Sequence, residues 1–288
     1  MSSKLHLPAG TARDGRDPLC VTPQLAGWSY TGLQVIRLEE KERRQVETGH
    51  REMLVLPLSG SCRVDVEDRT FELAGRTDVF AGISDFAYLP IEVEATITSA
   101  AGGEFALPWA EAGARHPAAH YPADERSIEV RGAGRATRRI HNLFVAGSST
   151  AQRLVVVEVL TPPGNWSSYP PHKHDDDAVP GEAVLEEIYY FRIQGPGGFG
   201  VHRTYTADRS LDETVLVQDG DVFLVPRGYH GPCAAPPDFP MYYLNVLAGP
   251  ATTRSLGFTD DPAYAWIRGT WARQDPDPRV AAPAVATP

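Results

Sequence analysis

Two histidines one residue apart, His172 and His174 in "PPHKHD", are followed by Glu187 at the head of the run "IYYF" and by His230 at the end of "PRGYH". On an extended strand, residues two apart project to the same face, so His172 and His174 can grip one ion while Lys173 points away. Three imidazoles and one carboxylate suit a divalent first-row ion such as Zn, Mn, Fe, Ni or Cu, with positions left open for water or substrate. Calcium and magnesium would take more oxygen. An HxH pair alone is more often a plain surface pair than a ligand pair, so the weight lies in the combination. Here HxH precedes an acid that opens a strand, and Gly220, Pro226 and Gly228 then lead into His230. Three separate segments can therefore converge on one metal centre. Glu187 is preferred to Glu186 as the fourth ligand because it directly precedes "IYYF" and aligns with Glu52 in an internal repeat.

The elements that must position these residues read as strands. Short runs rich in β-branched and aromatic residues ("GLQVIRLE", "EMLVLPL", "RLVVVEVLT", "EEIYYFRI", "DVFLVP", "MYYLNVLA") alternate with turns drawn from 25 prolines and 26 glycines, and no long segment has helical period. The pattern is that of an all-β sandwich or barrel. Glu52 begins "EMLVLPLSG" and Glu187 begins "EIYYFRIQG", while "FAYLP" and "VFLVP" follow at matching distances, which suggests duplication. The first copy offers only the lone His50 before its glutamate, so it reads as a structural copy. The polar, Gly-rich segment 125–139 is the expected linker, and the Pro/Ala-rich end from residue 275 is expected to fray.

Composition narrows the function classes. With 288 residues, 42% hydrophobic and 22% charged, the chain is large enough for two domains and too apolar for general disorder. A net charge of −10, with scattered Lys and Arg, argues against nucleic acid as a partner. No run approaches a membrane span and the N-terminal stretch has no apolar leader-like core, so the expected location is the cytoplasm. Cys20, Cys62 and Cys233 are odd in number and far apart, which signals neither a disulfide framework nor a thiolate zinc site.

The ligand spacing is a cupin-type arrangement. Together with "EEIYYFR", "GFGVHRTYT", "DGDVFLVPRGYHGP" and "MYYLNVLAG", it resembles the 5-deoxy-glucuronate isomerase family, whose relatives include 4-deoxy-5-threo-hexosulose-uronate ketol-isomerase. The resemblance implies an all-β bicupin, two tandem double-stranded β-helix (jelly-roll) barrels. The expected division is an N-terminal arm at 1–24, a degenerate cupin at 25–135, a metal-binding cupin at 136–272 and a flexible tail at 273–288. The resemblance also implies one divalent metal held by His172, His174, Glu187 and His230, with zinc or manganese first and iron or nickel as alternatives. It implies an aldose–ketose isomerisation of 5-deoxy-D-glucuronate to 2-deoxy-5-keto-D-gluconate in myo-inositol catabolism, and it is compatible with a homo-oligomer.

Such a reaction moves a proton between adjacent carbons, which requires an acid/base group near the metal. The catalytic candidates are Glu187, Tyr189, Arg203 and Arg227. If Glu187 points inward, alternation brings Tyr189 and Phe191 to the same face, where Tyr189 can donate to a substrate oxygen. Arg203 in "VHRTYT" and Arg227 in "PRGYH" are candidates to fork the substrate carboxylate. His202 alternates away from Arg203 and is expected on the exterior, and Asp175, Asp176 and Asp177 are expected to be a solvated loop. The competing readings are another metal-cupin enzyme, such as an iron oxygenase or a related uronate isomerase, and a sugar-binding bicupin without turnover.

Overall fold

The computed structural model describes residues 4–178, 181–251 and 254–280. In the first half, the long strand Arg51–Val66 is the spine of a nine-stranded sheet, pairing antiparallel with Gly103–Glu111, Arg69–Arg76, Phe86–Leu89 and Glu94–Thr98. Register shifts between Pro57 and Ser59 and between Gly60 and Cys62 bend this strand, so one segment serves both sides of the barrel. The second half is built from two antiparallel sheets. One runs in the order Val222–Val225, Glu186–Ile193, Met241–Ala248, Val155–Thr161, Arg138–Phe144 and Ser127–Arg131. The other runs Asp212–Val217, Gly200–Tyr205, Tyr229–Ala234, His172–Lys173 and Thr259–Asp260. The architecture is two tandem jelly-roll barrels.

Three apolar clusters explain why the strand sequences are nearly continuous in hydrophobic residues. Leu54, Leu56 and Tyr88 from the first half meet Ile188, Tyr190 and Leu244 from the second in a shared core. The alternate residues fill the individual barrels: Met53, Val55 and Ala87 in the first, Tyr189, Phe191 and Tyr243 in the second. Both faces of these strands are buried, so "EMLVLPL" and "EIYYF" lack polar alternation.

The internal repeat exists, but its register differs by one residue from the alignment on Glu187. Glu52 pairs across from Ala110 and Glu186 from Ala248, while Met53 faces Leu89 and Glu187 faces Val225. Glu186 is thus the counterpart of Glu52, and Met53 stands where the second half has Glu187. The glycines that favoured the other alignment are not counterparts. Gly60 faces Gly103 inside the long strand, whereas Gly195 lies beyond the strand end at Ile193.

The paired glutamates tie the two halves together reciprocally. Glu52 accepts backbone hydrogen bonds from Gln152 (2.9 Å), Arg153 (2.6 Å) and Leu154 (2.7 Å) at the entry to the strand Val155–Thr161. Glu186 accepts them from Ser29 (2.7 Å), Tyr30 (2.8 Å) and Thr31 (2.9 Å) at the entry to the strand Thr31–Leu38. Each carboxylate satisfies strand-entry donors of the other half. Replacing Glu186 by alanine is expected to lower stability by about 1–3 kcal/mol, read from denaturant unfolding, while leaving metal content unchanged.

Three expectations about the chain's margins are corrected by these pairings. Residues 127–131, expected in the linker, form an edge strand on Arg138–Phe144 of the second half. The N-terminal segment is not a separate arm, because His6–Leu7 pairs with Val222–Val225 and Leu19–Val21 pairs with Thr31–Leu38. In the tail, Asp277 takes a hydrogen bond from Asn165 (3.1 Å) and donates its N–H to Thr137 (2.9 Å), and Val280 is buried. The remainder of the expected tail, 281–288, lies outside the described residues.

Candidate metal centre

The second of these sheets brings His172 directly across from His230, and His174 follows just past the end of the short strand His172–Lys173. Glu187 reaches them from the facing sheet. Its Oε2 lies 2.8 Å from His174 Nε2 and 3.1 Å from His230 Nε2. The ligand atoms of His174, Glu187 and His230 all fall within 4.8 Å of one another, and all three residues are buried. His172 is half-buried at the edge, its ring 4.5 Å from that of His230 and 6.5 Å from that of His174.

Backbone carbonyls orient the imidazoles. His174 Nδ1 lies 3.0 Å from Leu185 O, His230 Nδ1 3.2 Å from Gly228 O and His172 Nδ1 3.4 Å from Pro170 O. A carbonyl only accepts, so each Nδ1 is assigned the proton and each Nε2 keeps its lone pair. His230 Nε2 is buried with no hydrogen bond. Lone pairs converging on an ionised carboxylate repel one another unless a cation lies among them, so the donor set fits a divalent ion. The electrostatics keep the carboxylate ionised. Burial alone would raise the Glu187 carboxyl, but His230 and His174 hold it well below the usual carboxylate range. Burial also works against a charge on His174, where Glu187 prevails and raises its pKa; at His172, burial together with His230 and His174 pushes the pKa far down.

The loop between the ligands is more ordered than its composition suggests. Lys173 points away from the histidines and donates to Asp175 and Glu182, both at 2.6 Å. Asp175 also accepts from Gly228 N–H at 2.7 Å, which fastens the HxH loop to the turn that delivers His230. Asp175 is therefore a tie and not a solvated charge. Gly228 has φ +87°, and a Cβ there would come within 2.7 Å of Tyr205 O, so the turn needs glycine.

The cluster opens on a cavity of roughly 190 Å³ in the second barrel. Glu187, Tyr189 and Phe191 share the inner face, as strand alternation requires. The Tyr189 hydroxyl lies 3.2 Å from Ser168 Oγ, which in turn lies 3.1 Å from the Tyr243 hydroxyl. Burial and then Glu187 push the Tyr189 pKa well above its ordinary value, so this hydroxyl is a donor.

The arginines are not where the sequence placed them. Arg203 lies on the outside, paired with Asp212 at 2.9 Å and stacked over Tyr205 at 4.5 Å. Thr204 faces His230, and the inward face of that strand belongs to His202 and Thr204, both fully buried. His202 is thus interior, its Nδ1 3.0 Å from Cys233 Sγ, and burial lowers its pKa to about 3. Both faces of "VHRTYT" carry polar residues, so only pairing with the next strand fixes its parity. Arg227 sits exposed in its turn. The cavity is instead lined by Arg131 and Arg138, from the segment read as a linker, and by Asn245. The available signal for Asn245 was a single polar residue inside "MYYLNVLA".

Comparison with known proteins matches residues 5–267 to the KduI/IolB family. The chain belongs to that family. A 5-deoxy-glucuronate isomerase of Geobacillus kaustophilus is 41% identical over 267 residues, covering 92% of this chain and 95% of the relative. That of Bacillus subtilis is 38% identical over 249 residues, covering 86% and 91%. Among solved structures, an IolB-like protein from Salmonella typhimurium superposes with a TM-score of 0.85 at 36% identity, covering 91% of this chain and 98% of its own. An oxalate decarboxylase of Lactobacillus farciminis, at 16% identity with 89% of each chain covered, gives a TM-score of 0.64, a likeness of fold alone.

In this KduI/IolB chain the first barrel carries no equivalent cluster among the described residues. Met53 occupies the glutamate position and His50 is exposed. His50→Ala is expected to leave metal content, measured by elemental analysis, unchanged. No helix among the described residues is long and apolar enough to cross a membrane.

Proposed function

We propose that the chain is a metal-dependent 5-deoxy-glucuronate isomerase that converts 5-deoxy-D-glucuronate to 2-deoxy-5-keto-D-gluconate as a step of myo-inositol catabolism in the cytoplasm. The observation that carries the reading is the buried cluster of His174, Glu187 and His230, with His172 at its edge, opening on a cavity in a chain whose relatives are named for that activity. The four residues would hold one divalent ion, zinc or manganese by preference, with iron or nickel as alternatives. Bound there, such an ion would supply Lewis-acid polarisation of the carbonyl and its neighbouring hydroxyl, which acidifies the C–H bond of the hydroxyl-bearing carbon.

The chain's own groups supply the rest. Glu187 places a carboxylate beside the reacting carbons, and the Tyr189 hydroxyl, kept protonated by its surroundings, donates to a substrate oxygen. Ser168 fixes the direction of that hydroxyl. The closed inner face of Phe191 and Tyr243 keeps bulk water from the intermediate. The metal-bearing unit in this reading is the second barrel, and the first serves as its structural partner.

Incubation of the metal-loaded protein with 5-deoxy-glucuronate under argon tests the reading. The aldehyde signal should give way to a ketone at unchanged molecular mass. Turnover that requires dioxygen, or that releases carbon dioxide, would replace it with an oxygenase or decarboxylase.

A further inference from the structure

Arg138 opens the strand Arg138–Phe144 and is 3% exposed, yet it lines the same cavity as His172, His174 and Glu187. Its Nη1 donates to the carbonyls of Ala136 (3.0 Å) and Tyr169 (3.2 Å), and the guanidinium lies over the Trp271 ring at 5.6 Å. Neither carbonyl carries a charge. Among the described residues no carboxylate forms an ion pair with Arg138, whose hydrogen bonds run from Nη1 to those two carbonyls. The neighbouring arginines are already committed: Arg131 forks Glu129 at 2.7 and 2.8 Å, and Arg268 is paired with Asp260. Burial lowers the Arg138 pKa to about 10, the mark of a cation kept from water without a counter-ion.

A buried guanidinium that faces a cavity without an anion is costly, and an entering carboxylate removes that cost while engaging the fork. We propose that Arg138 receives the carboxylate of the substrate and so fixes which end of the molecule reaches the histidine cluster. The assignment deepens the isomerase reading and rests on it for the identity of the acid. The dimensions agree. Tyr169, whose carbonyl Arg138 grips, is three residues from His172, at most about 10 Å along an extended chain. Arg138 and the histidine cluster thus line one and the same cavity. Asn245 Nδ2, a buried donor without a partner in the same cavity, lies available to a substrate hydroxyl.

Calorimetric titration of the metal-loaded full chain with 5-deoxy-glucuronate and with 5-deoxyglucose, its neutral C6-alcohol counterpart, tests this. Arg138→Gln should weaken uronate binding roughly 10- to 100-fold while leaving the neutral sugar unaffected. Arg138→Lys, which keeps the charge and loses the fork, should fall between, and it carries the test if the glutamine variant does not fold. Uronate affinity unchanged in either variant overturns the assignment, as does equal loss for both sugars, which would mark Arg138 as structural only. A wild-type chain that binds neither sugar overturns it too. A wild-type chain that binds the uronate tightly, loses it in Arg138→Gln and never converts it would keep the assignment and sink the isomerase reading.

Discussion

Replacing His174 or His230 with alanine should empty the site of metal and lower isomerase turnover by more than about 10³-fold. Both rings place Nε2 within 3.1 Å of Glu187 Oε2, and both are oriented through Nδ1 by a backbone carbonyl, so each substitution removes one of the three tightly clustered donors. The far-ultraviolet spectrum should stay that of a β protein, because the barrel core is built from Tyr189, Phe191, Phe223 and Tyr243 and not from the ligands. His172→Ala should cost less metal affinity, since His172 lies outside the tight trio. Elemental analysis with parallel activity assays provides the check, and full occupancy in both the His174 and His230 variants would remove the ligand assignment.

The second large effect is on folding. Arg76, from the first half, and Glu158, from the second, form a fully buried ion pair. Glu158 also meets His141 Nδ1 at 3.0 Å and accepts from the Tyr242 hydroxyl at 2.8 Å, while Arg76 donates to Pro57 O (3.0 Å) and Gly82 O (2.9 Å). Burial alone would raise the Glu158 carboxyl; Arg76 and His141 reverse that and hold it below its ordinary range. Either Arg76→Met or Glu158→Gln leaves a buried polar group without its partner and should cost about 3–5 kcal/mol. The double variant Arg76→Met/Glu158→Leu should recover much of that loss, because replacing both partners by apolar groups leaves no orphaned charge. The pH dependence follows from the depressed carboxyl. The contribution is complete above an unfolded value of about 4.3 and is lost as pH falls through the lower folded value. Wild type and Glu158→Gln should therefore converge in strong acid. Chemical denaturation across pH reads this, and a single-variant loss below about 1 kcal/mol would mean the pair is no more than an ordinary surface bridge.

The parts of this protein legible in its sequence were those governed by local period and spacing. The HxH pair, the acid before "IYYF" and the glycine–proline turn before His230 each depend on residues a few positions apart, so the cluster could be anticipated. Strand parity in "VHRTYT" depends on which residue of Tyr229–Ala234 lies opposite, and that is a long-range fact. The same holds for the repeat, where a glycine match hid a one-residue slip that makes Glu186, not Glu187, the partner of Glu52. Arg138 was hidden for another reason. A polar, Gly-rich stretch looks like a connection until its strand is seen to complete the wall of the cavity.

Proton NMR of the anaerobic protein with 5-deoxy-glucuronate in deuterated water, before chelation, after it and after zinc or manganese is restored, shows whether turnover follows the metal. Conversion to the keto acid that stops with the metal and returns with it is the predicted result. Conversion that continues undiminished in protein shown to be free of metal, or none under any loading, would rule out a metal-dependent isomerase.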